Sequence, residues 1–393
     1  MVIEGCSRER CRRPHLCFIT TLPYQVNVFL AEHVQDLLAG ADISIITNGD
    51  RRELLPALRD QVDHHHVAIE RPIRPTADLA ALTRITRILG AMRPDLVQTM
   101  TPKAGLVGML AARIAGVQER VHWFTGQVWQ TATNPMRFVL QNSDRFTASL
   151  STALLVDSPS QRTFLAESRI APEHRMTVLG KGSVRGVDAA RFRPNPVFHE
   201  EIRGNLGIGP NETLALFVGR LTKDKGLLDL AAAMRELRST MPGLHVALLG
   251  FEEGAFIGTM QAAVGSAADR LHFLGFSDDP ERFMAAADFL VLPSHREGFG
   301  STVIEAAACG IPAIGTRIHG LTDAIVDGET GILVPPRDPP ALGRAMRELS
   351  SNESLRRRFG AAAMERARRE FSSDVLTAEL RAFYGRLIGA TLA

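Results

Sequence analysis

VLPSHREGFGSTVIEAAACGIPAIGT, residues 291–316, is the stretch around which the rest of the chain is organised. With the two residues before it, Phe289-Leu290-Val291-Leu292 makes an apolar run closed by Pro293 and Ser294, the pattern of a short strand buried on both faces. A loop follows over 295–300, and a helix is predicted from Ser301 or Thr302 through three alanines to Gly310. Glu297 therefore stands before that helix and Glu305 on its first turns. The N–H groups around Gly300 to Val303 make an anion site of the helix N-terminal kind. On the residues alone two plainer readings stay open: Thr302-Val303-Ile304-Glu305 fits a capping box, and Glu297 fits a solvated carboxylate beside Arg296.

Upstream, apolar runs alternate with helical periodicity. Strands are predicted near 16–21, 43–48, 64–69, 96–101, 120–125, 153–158 and 176–180, with helices near 26–39, 77–92, 103–116, 135–150 and 159–168. The layout restarts with strands at 213–218, 245–250, 271–274, 289–292 and 332–334, a helix from 227 to about 239, and closing helices near 339–350, 353–370 and 373–389. Such alternation implies parallel sheets covered on both faces, with ligands bound beyond the strands' C-terminal ends.

The chain has 393 residues, enough for two or three domains, and its 45% apolar and 22% charged residues are ordinary for a globular protein. Its net charge of +2 divides into 22 Lys and Arg against 18 Asp and Glu up to residue 190, and 23 against 25 beyond. That mildly basic first half is compatible with an anionic surface or with none. No apolar run reaches the length of a membrane span, and no signal-peptide core follows the charged N-terminus. Residues 1–14 read as a basic tail. The four cysteines match neither a zinc site nor a disulfide framework, so a reducing, cytoplasmic setting is expected. His64, His65 and His66 alternate faces on a strand and are left unassigned.

Further candidates lie at strand ends. Thr99-Met100-Thr101-Pro102-Lys103-Ala104-Gly105 ends one strand and starts a helix, and His122-Trp123-Phe124-Thr125-Gly126-Gln127-Val128-Trp129 holds both tryptophans of the chain. On the residues alone His122 reads first as a core or strand-end histidine. In the second half, Gly219-Arg220 ends a strand, and Lys223-Asp224-Lys225-Gly226 opens a helix, where lysines oppose the helix dipole unless an anion binds. The turn Gly180-Lys181-Gly182-Ser183-Val184-Arg185-Gly186 imitates a dinucleotide-binding pattern, but Pro194 leaves no room for the helix such a site needs.

EGFGSTVIE resembles the Glu-x7-Glu motif of the family 4 glycosyltransferases, retaining enzymes of the GT-B fold, and Pro293-Ser294 and Gly310-x-Pro312 fit beside it. The resemblance implies an α/β chain of two doubly wound, Rossmann-like domains whose parallel sheets face each other across a cleft. It implies an acceptor-binding domain over 15–190, a nucleotide-sugar-binding domain over 191–372, and a last helix (373–393) packed back on the first. By the same resemblance Glu297 and His122 lie at the donor sugar as catalytic residues and Glu305 lies at the ribose. Arg220 and Lys225 then clamp the diphosphate with Gly219, Phe299, Gly300, Ser301 and Thr302, and Gly275 and Phe276 flank the base. Thr101, Lys103, Thr125, Gly126 and Gln127 fall on the acceptor side. Gly186-Val187-Asp188 fits the end of the family's inter-domain Asn-Gly-Val-Asp. The turn after the first strand, Thr20 to Gln25, departs from the family's glycine-rich turn, so no donor contact is assigned to it.

TPKAGLVGMLAARIAG, HWFTGQVW and LVDSPSQ resemble a bacterial branch that extends polyprenyl-diphosphate-linked sugars for surface polysaccharide. The expected function is transfer of a hexosyl or N-acetylhexosaminyl group, with retention, from a nucleotide-diphosphate sugar (a UDP-sugar foremost) to a lipid-linked or saccharide hydroxyl. No metal or other cofactor is expected to be required, and no nucleic-acid partner. A nucleotide-sugar epimerase of the same fold and a non-catalytic nucleotide-binding protein are the alternatives. Leu82, Ile85, Leu89 and Met92 on one helix face, with Trp129, Met136 and Phe138 beyond, suit either a core-packing helix or peripheral contact with the inner face of the cytoplasmic membrane.

Overall fold

The computed structural model describes residues 12–70 and 72–392. Two all-parallel sheets carry the chain. The first contains β1 (His15–Ile19), β2 (Asp42–Thr47), β3 (Asp63–His66), β4 (Leu96–Met100), β5 (Glu119–Phe124), β6 (Ala153–Val156) and β7 (Met176–Val178), in the order β3-β2-β1-β4-β5-β6-β7. The second contains β8 (Thr213–Val218), β9 (Leu244–Leu249), β10 (Leu271–Gly275), β11 (Phe289–Leu292), β12 (Ala313–Thr316) and β13 (Gly331–Val334), in the order β10-β9-β8-β11-β12-β13. Central strands are apolar on both faces because helices cover both, as in Thr213–Val218, where TLALF is buried throughout. In each sheet the chain first works outward on one side and then returns to the other. The resulting switch points lie between β1 and β4 and between β8 and β11. Loops diverge there and leave a crevice.

The last helix, Ser373–Ile388, packs on the first sheet: Leu376, Leu380, Phe383 and Tyr384 share a core with Phe18, Val26, Leu30 and Trp123. Arg381 bonds Asp36 at 2.9 Å and the His33 ring bonds the Thr377 hydroxyl at 2.8 Å. These contacts tie the end of the chain to the first sheet.

Several expectations need correction. Residues 26–39 form two helices, Pro23–Phe29 and Ala31–Leu37, broken at Leu30. Asn195 and Pro196 open the helix Pro196–Asn205, absent from the predicted elements, because the Asn195 side chain accepts from the N–H groups of Val197 and Phe198 and Pro196 fills the first helical position. The face of the helix Pro75–Met92 offered to lipid is core: Ile85 and Leu89 are buried with Val97 and Ala104, and Leu82 and Met92 pack against them. Trp129 is also buried, its indole N–H donating to Asp144 at 2.7 Å. The basic tail lies outside the described residues up to residue 11, with Cys6 and Cys11 in that part. Its last residues are anchored, Arg12 to Asp95 at 2.9 Å and Arg13 to the Leu38 carbonyl at 2.6 Å. Among the described residues no helix is long and apolar enough to cross a membrane.

Candidate functional site

The crevice of the second sheet is built by the loops after β8 and β11. Gly219 leaves β8 with its N–H on the Leu249 carbonyl at 2.9 Å, and a 3-10 turn, Lys223–Lys225, leads into the helix Leu227–Leu237 through Gly226. Gly226 has φ +68°, and a Cβ there would lie 2.7 Å from the Pro293 carbonyl carbon, nearer still to its oxygen. Only glycine permits both this backbone and this approach. The approach sets Lys225 against the loop after β11. Its ammonium group is 2.6 Å from the Glu297 carboxylate, which also accepts from the Ser294 hydroxyl at 2.7 Å.

Glu297 is therefore not a solvated loop carboxylate. Its side chain is 12% exposed, and Arg296 turns away to Asp224 at 2.6 Å. Arg220 stands differently from the expectation that it would join Lys225. It lies at the rim, paired with Glu253 at 2.6 Å, both side chains more than a third exposed. Burial raises the pKa of the Tyr24 hydroxyl, on which the charges of Arg185, Glu305 and Arg220 also act.

The helix Ser301–Ala308 starts behind Gly300, which has φ +82°. With Gly300 at the cap position, Thr302 lies inside the first turn, so Thr302 and Glu305 do not form a capping box. The first-turn N–H groups of Ser301 and Thr302 point out of the helix end. Phe299 offers only backbone, because its ring is buried against Phe371 with centroids 5.2 Å apart. Gly275 ends β10 at φ +71°, and Phe276 beside it is exposed, its ring 6.4 Å from that of Phe251. Glu305 is buried and held by the guanidinium of Arg185.

Opposite, the first sheet presents its own switch point. Thr101 follows β4 at φ +76°, a conformation that costs a β-branched residue about 1–3 kcal/mol, and its hydroxyl bonds that of Thr21 at 2.8 Å. Lys103 is spent on Asp78, with oxygens at 2.5 and 2.6 Å, so it presents no free charge to an acceptor. His122 is buried at the end of β5, with Nδ1 2.7 Å from the Thr99 hydroxyl. Burial lowers its pKa to about 3, so the ring is neutral at physiological pH. It lines a small pocket with Thr101, Thr125, Gly126 and Gln127. Gln127 turns its amide back to the Thr125 carbonyl.

The loop after β5 meets the loop after β11 at Gly126. A Cβ on it would lie 3.2 Å from the Gly298 nitrogen and 3.5 Å from the Glu297 carbonyl carbon. Asp157, after β6, is buried against Gly298, and burial raises its carboxyl to about 8 with the Trp123 indole opposing. Ser160 bonds Asp323 and receives the Gly320 N–H at 2.8 Å, while Phe164 stacks on His319 with centroids 4.1 Å apart. Glu297, Lys225, the helix end and the His122 pocket are thus gathered about one crevice.

Sequence reasoning missed Arg185, Tyr24 and Asp157. The signal for Arg185 was its place in the inter-domain pattern. Tyr24 and Asp157 carried no signal beyond lying at strand ends. Among the described residues no group of three or more His, Cys, Asp or Glu side chains is placed to hold a metal ion.

Residues 30–182 match the glycosyl transferase 4-like domain family, and residues 198–366 match the family described as glycosyl transferases group 1. A capsular polysaccharide biosynthesis glycosyltransferase, CapM of Staphylococcus aureus, is 29% identical over 363 residues, covering 88% of this chain and 90% of that protein. Among solved structures, Anabaena Alr3699/HepE in complex with UDP and glucose aligns with a TM-score of 0.80 at 18% identity, covering 95% of this chain and all (100%) of that one. Sucrose-phosphate synthase from Thermosynechococcus elongatus aligns with a TM-score of 0.80 at 21% identity, covering 96% and 100%. These likenesses place the fold as GT-B.

Proposed function

Since the chain belongs to the glycosyltransferases that join a glycosyl transferase 4-like domain to a group 1 domain, we propose that it moves a sugar, with retention, from a nucleotide-diphosphate sugar to a hydroxyl of a lipid-linked saccharide during surface-polysaccharide synthesis. The observation that carries the proposal is the contact of Lys225 with Glu297 at 2.6 Å beside the start of the helix Ser301–Ala308. One crevice then offers a cation and helix N–H groups for a departing diphosphate, and a carboxylate for the sugar.

In the reaction, the bond from the anomeric carbon to the phosphate oxygen breaks. The acceptor oxygen bonds the same face, and its proton passes to the departing phosphate. Lys225, with Arg220 at the rim, meets the charge growing on the diphosphate, so no metal is assigned to that task. Lys225 is then shared with the donor, and Glu297 stabilises the positive charge developing on the sugar. His122, neutral and pinned to Thr99, offers a hydrogen bond at the sugar. Phe276, exposed at the mouth, offers the base a stacking face. Support comes from the neighbour that holds UDP and glucose and from the capsular relative named above.

UDP-, GDP- and ADP-sugars offered to the purified protein are expected to give one nucleotide that raises its melting temperature and is released from the sugar. Addition of a polyprenyl-diphosphate-linked saccharide should then yield a retained glycosidic bond. An altered nucleotide sugar formed without acceptor would mark an epimerase, and binding without turnover a non-catalytic protein.

A membrane contact belongs to the same proposal, keeping Met136 and Phe138 of the first reading but not the buried face of the helix Pro75–Met92. Ile73, Leu79, Met136, Phe138 and Val139 are exposed near the ends of the helices Pro75–Met92 and Met136–Leu150 that lie towards the crevice, with Arg74 and Arg137 among them. An apolar rim with interspersed arginines suits an anionic lipid surface that carries the acceptor. Phe138→Asp is expected to lower co-sedimentation with phosphatidylglycerol vesicles roughly tenfold or more. Equal sedimentation of both proteins would exclude this rim.

A further inference from the structure

The crevice contains a cation that neither phosphate-binding loop supplies. Arg185 lies on the crossover from β7 to the second sheet, in Arg185-Gly186-Val187-Asp188. The crossover is fixed tightly. Gly186 has φ +71°, and a Cβ there would lie 2.6 Å from the Phe371 carbonyl oxygen, while the Val187 N–H donates to that oxygen at 2.8 Å. From this anchored backbone the Arg185 side chain reaches over to the helix Ser301–Ala308 and bonds Oε1 of Glu305. The Glu305 side chain is only 4% exposed. A buried carboxylate needs its charge met, and the guanidinium meets it.

The charge of Glu32 also acts on the guanidinium. Glu305 is thus the carboxylate that holds Arg185 in place. The ion pair engages Oε1 of Glu305 and leaves Oε2 for a second donor. A neutral, shorter Asn would supply neither the charge nor the reach.

We propose that Arg185 is a positioning residue for the donor: by holding Oε1 of Glu305 it presents Oε2 to the ribose hydroxyls of the nucleotide. The inference rests on the donor reading above and deepens it. An oriented, desolvated carboxylate discriminates strongly for a hydroxyl, because the analogue lacking it leaves a buried acceptor unmet.

The test is calorimetric titration of wild type, R185M, R185K, R185N and E305Q with UDP, GDP, ADP and their 2′-deoxy counterparts. Wild type is expected to favour the ribonucleotide roughly tenfold to a hundredfold. R185M and R185N are expected to reduce that preference to about twofold or less by losing ribonucleotide affinity alone, with R185K keeping part of it. Combining R185M with E305Q should weaken binding no further than E305Q does. A preference unchanged in R185M, or equal losses on ribose and deoxyribose nucleotides, would overturn the assignment and leave Arg185 a scaffold ion pair. So would a wild type indifferent to the 2′-hydroxyl. If R185M does not fold, R185N and R185K decide the same question. Wild type that binds none of the three nucleotides would instead remove the donor reading itself.

Discussion

Glu297→Gln is expected to reduce sugar transfer by about 10²–10³-fold while changing nucleotide-diphosphate affinity by less than about threefold. The substitution preserves shape, and the amide oxygen still accepts from Ser294 and Lys225, so the loop after β11 keeps its course. What disappears is the negative charge. In the ground state that charge faces Lys225, and its removal frees the ammonium group for the donor's phosphates. Binding of the diphosphate is therefore maintained or slightly improved. In the transition state the anomeric carbon gains positive charge and finds no anion. A loss confined to kcat follows, because the interaction exists only at the transition state. Initial rates at saturating donor, beside calorimetric titration with the nucleotide, check the split. Equal losses in both would reduce Glu297 to a structural residue, and an unaltered rate would remove it from the chemistry.

The second large effect is expected from Gly226→Ala. An alanine at φ +68° is strained, and its methyl would overlap the Pro293 carbonyl, so the turn has to move. The backbone conformation costs about 1–2 kcal/mol, and relief of the overlap adds about 1–3 kcal/mol more. Movement of this turn carries Lys225 off Glu297, which leaves a largely buried carboxylate unpaired. Donor affinity should fall at least about tenfold along with stability. Gly204→Ala is the control. It lies in the helix Pro196–Asn205 with no atom near its added methyl, and should gain about 0.5–1 kcal/mol without touching donor binding. Urea denaturation of both variants and nucleotide titration check the pair. A Gly226→Ala protein as stable and as avid as wild type would show that the close approach to Pro293 does not set the site.

The sheets were legible because their central strands are continuous apolar runs that helices must cover, as in Phe289–Leu292 and Leu244–Leu249. β12, only four residues with a glycine inside, gave too short a run to be read. The amphipathic pattern of the helix Pro75–Met92 showed that it has an apolar face without showing what covers that face. Burial of Ile85 and Leu89 against the sheet answers that. In the site, Glu297 and Lys225 were each legible from motifs, but their contact spans 72 positions and depends on Gly226 meeting Pro293. Arg220 was read as the partner of Lys225, yet its nearest carboxylate, Glu253, comes from the loop after β9, which no motif marks. Arg185 hid in a glycine-rich turn that mimics a different site. Its role depends on a carboxylate 120 residues away.

The most direct test of the central claim is the affinity of Lys225→Met and wild type for the nucleoside diphosphate against the monophosphate of the same base, UDP against UMP first. If Lys225 and the neighbouring helix end receive the departing diphosphate, wild type prefers the diphosphate by about tenfold or more and the variant loses most of that preference. An equal preference in both proteins would contradict the account, because the β-phosphate would then be bound by groups other than those beside Glu297.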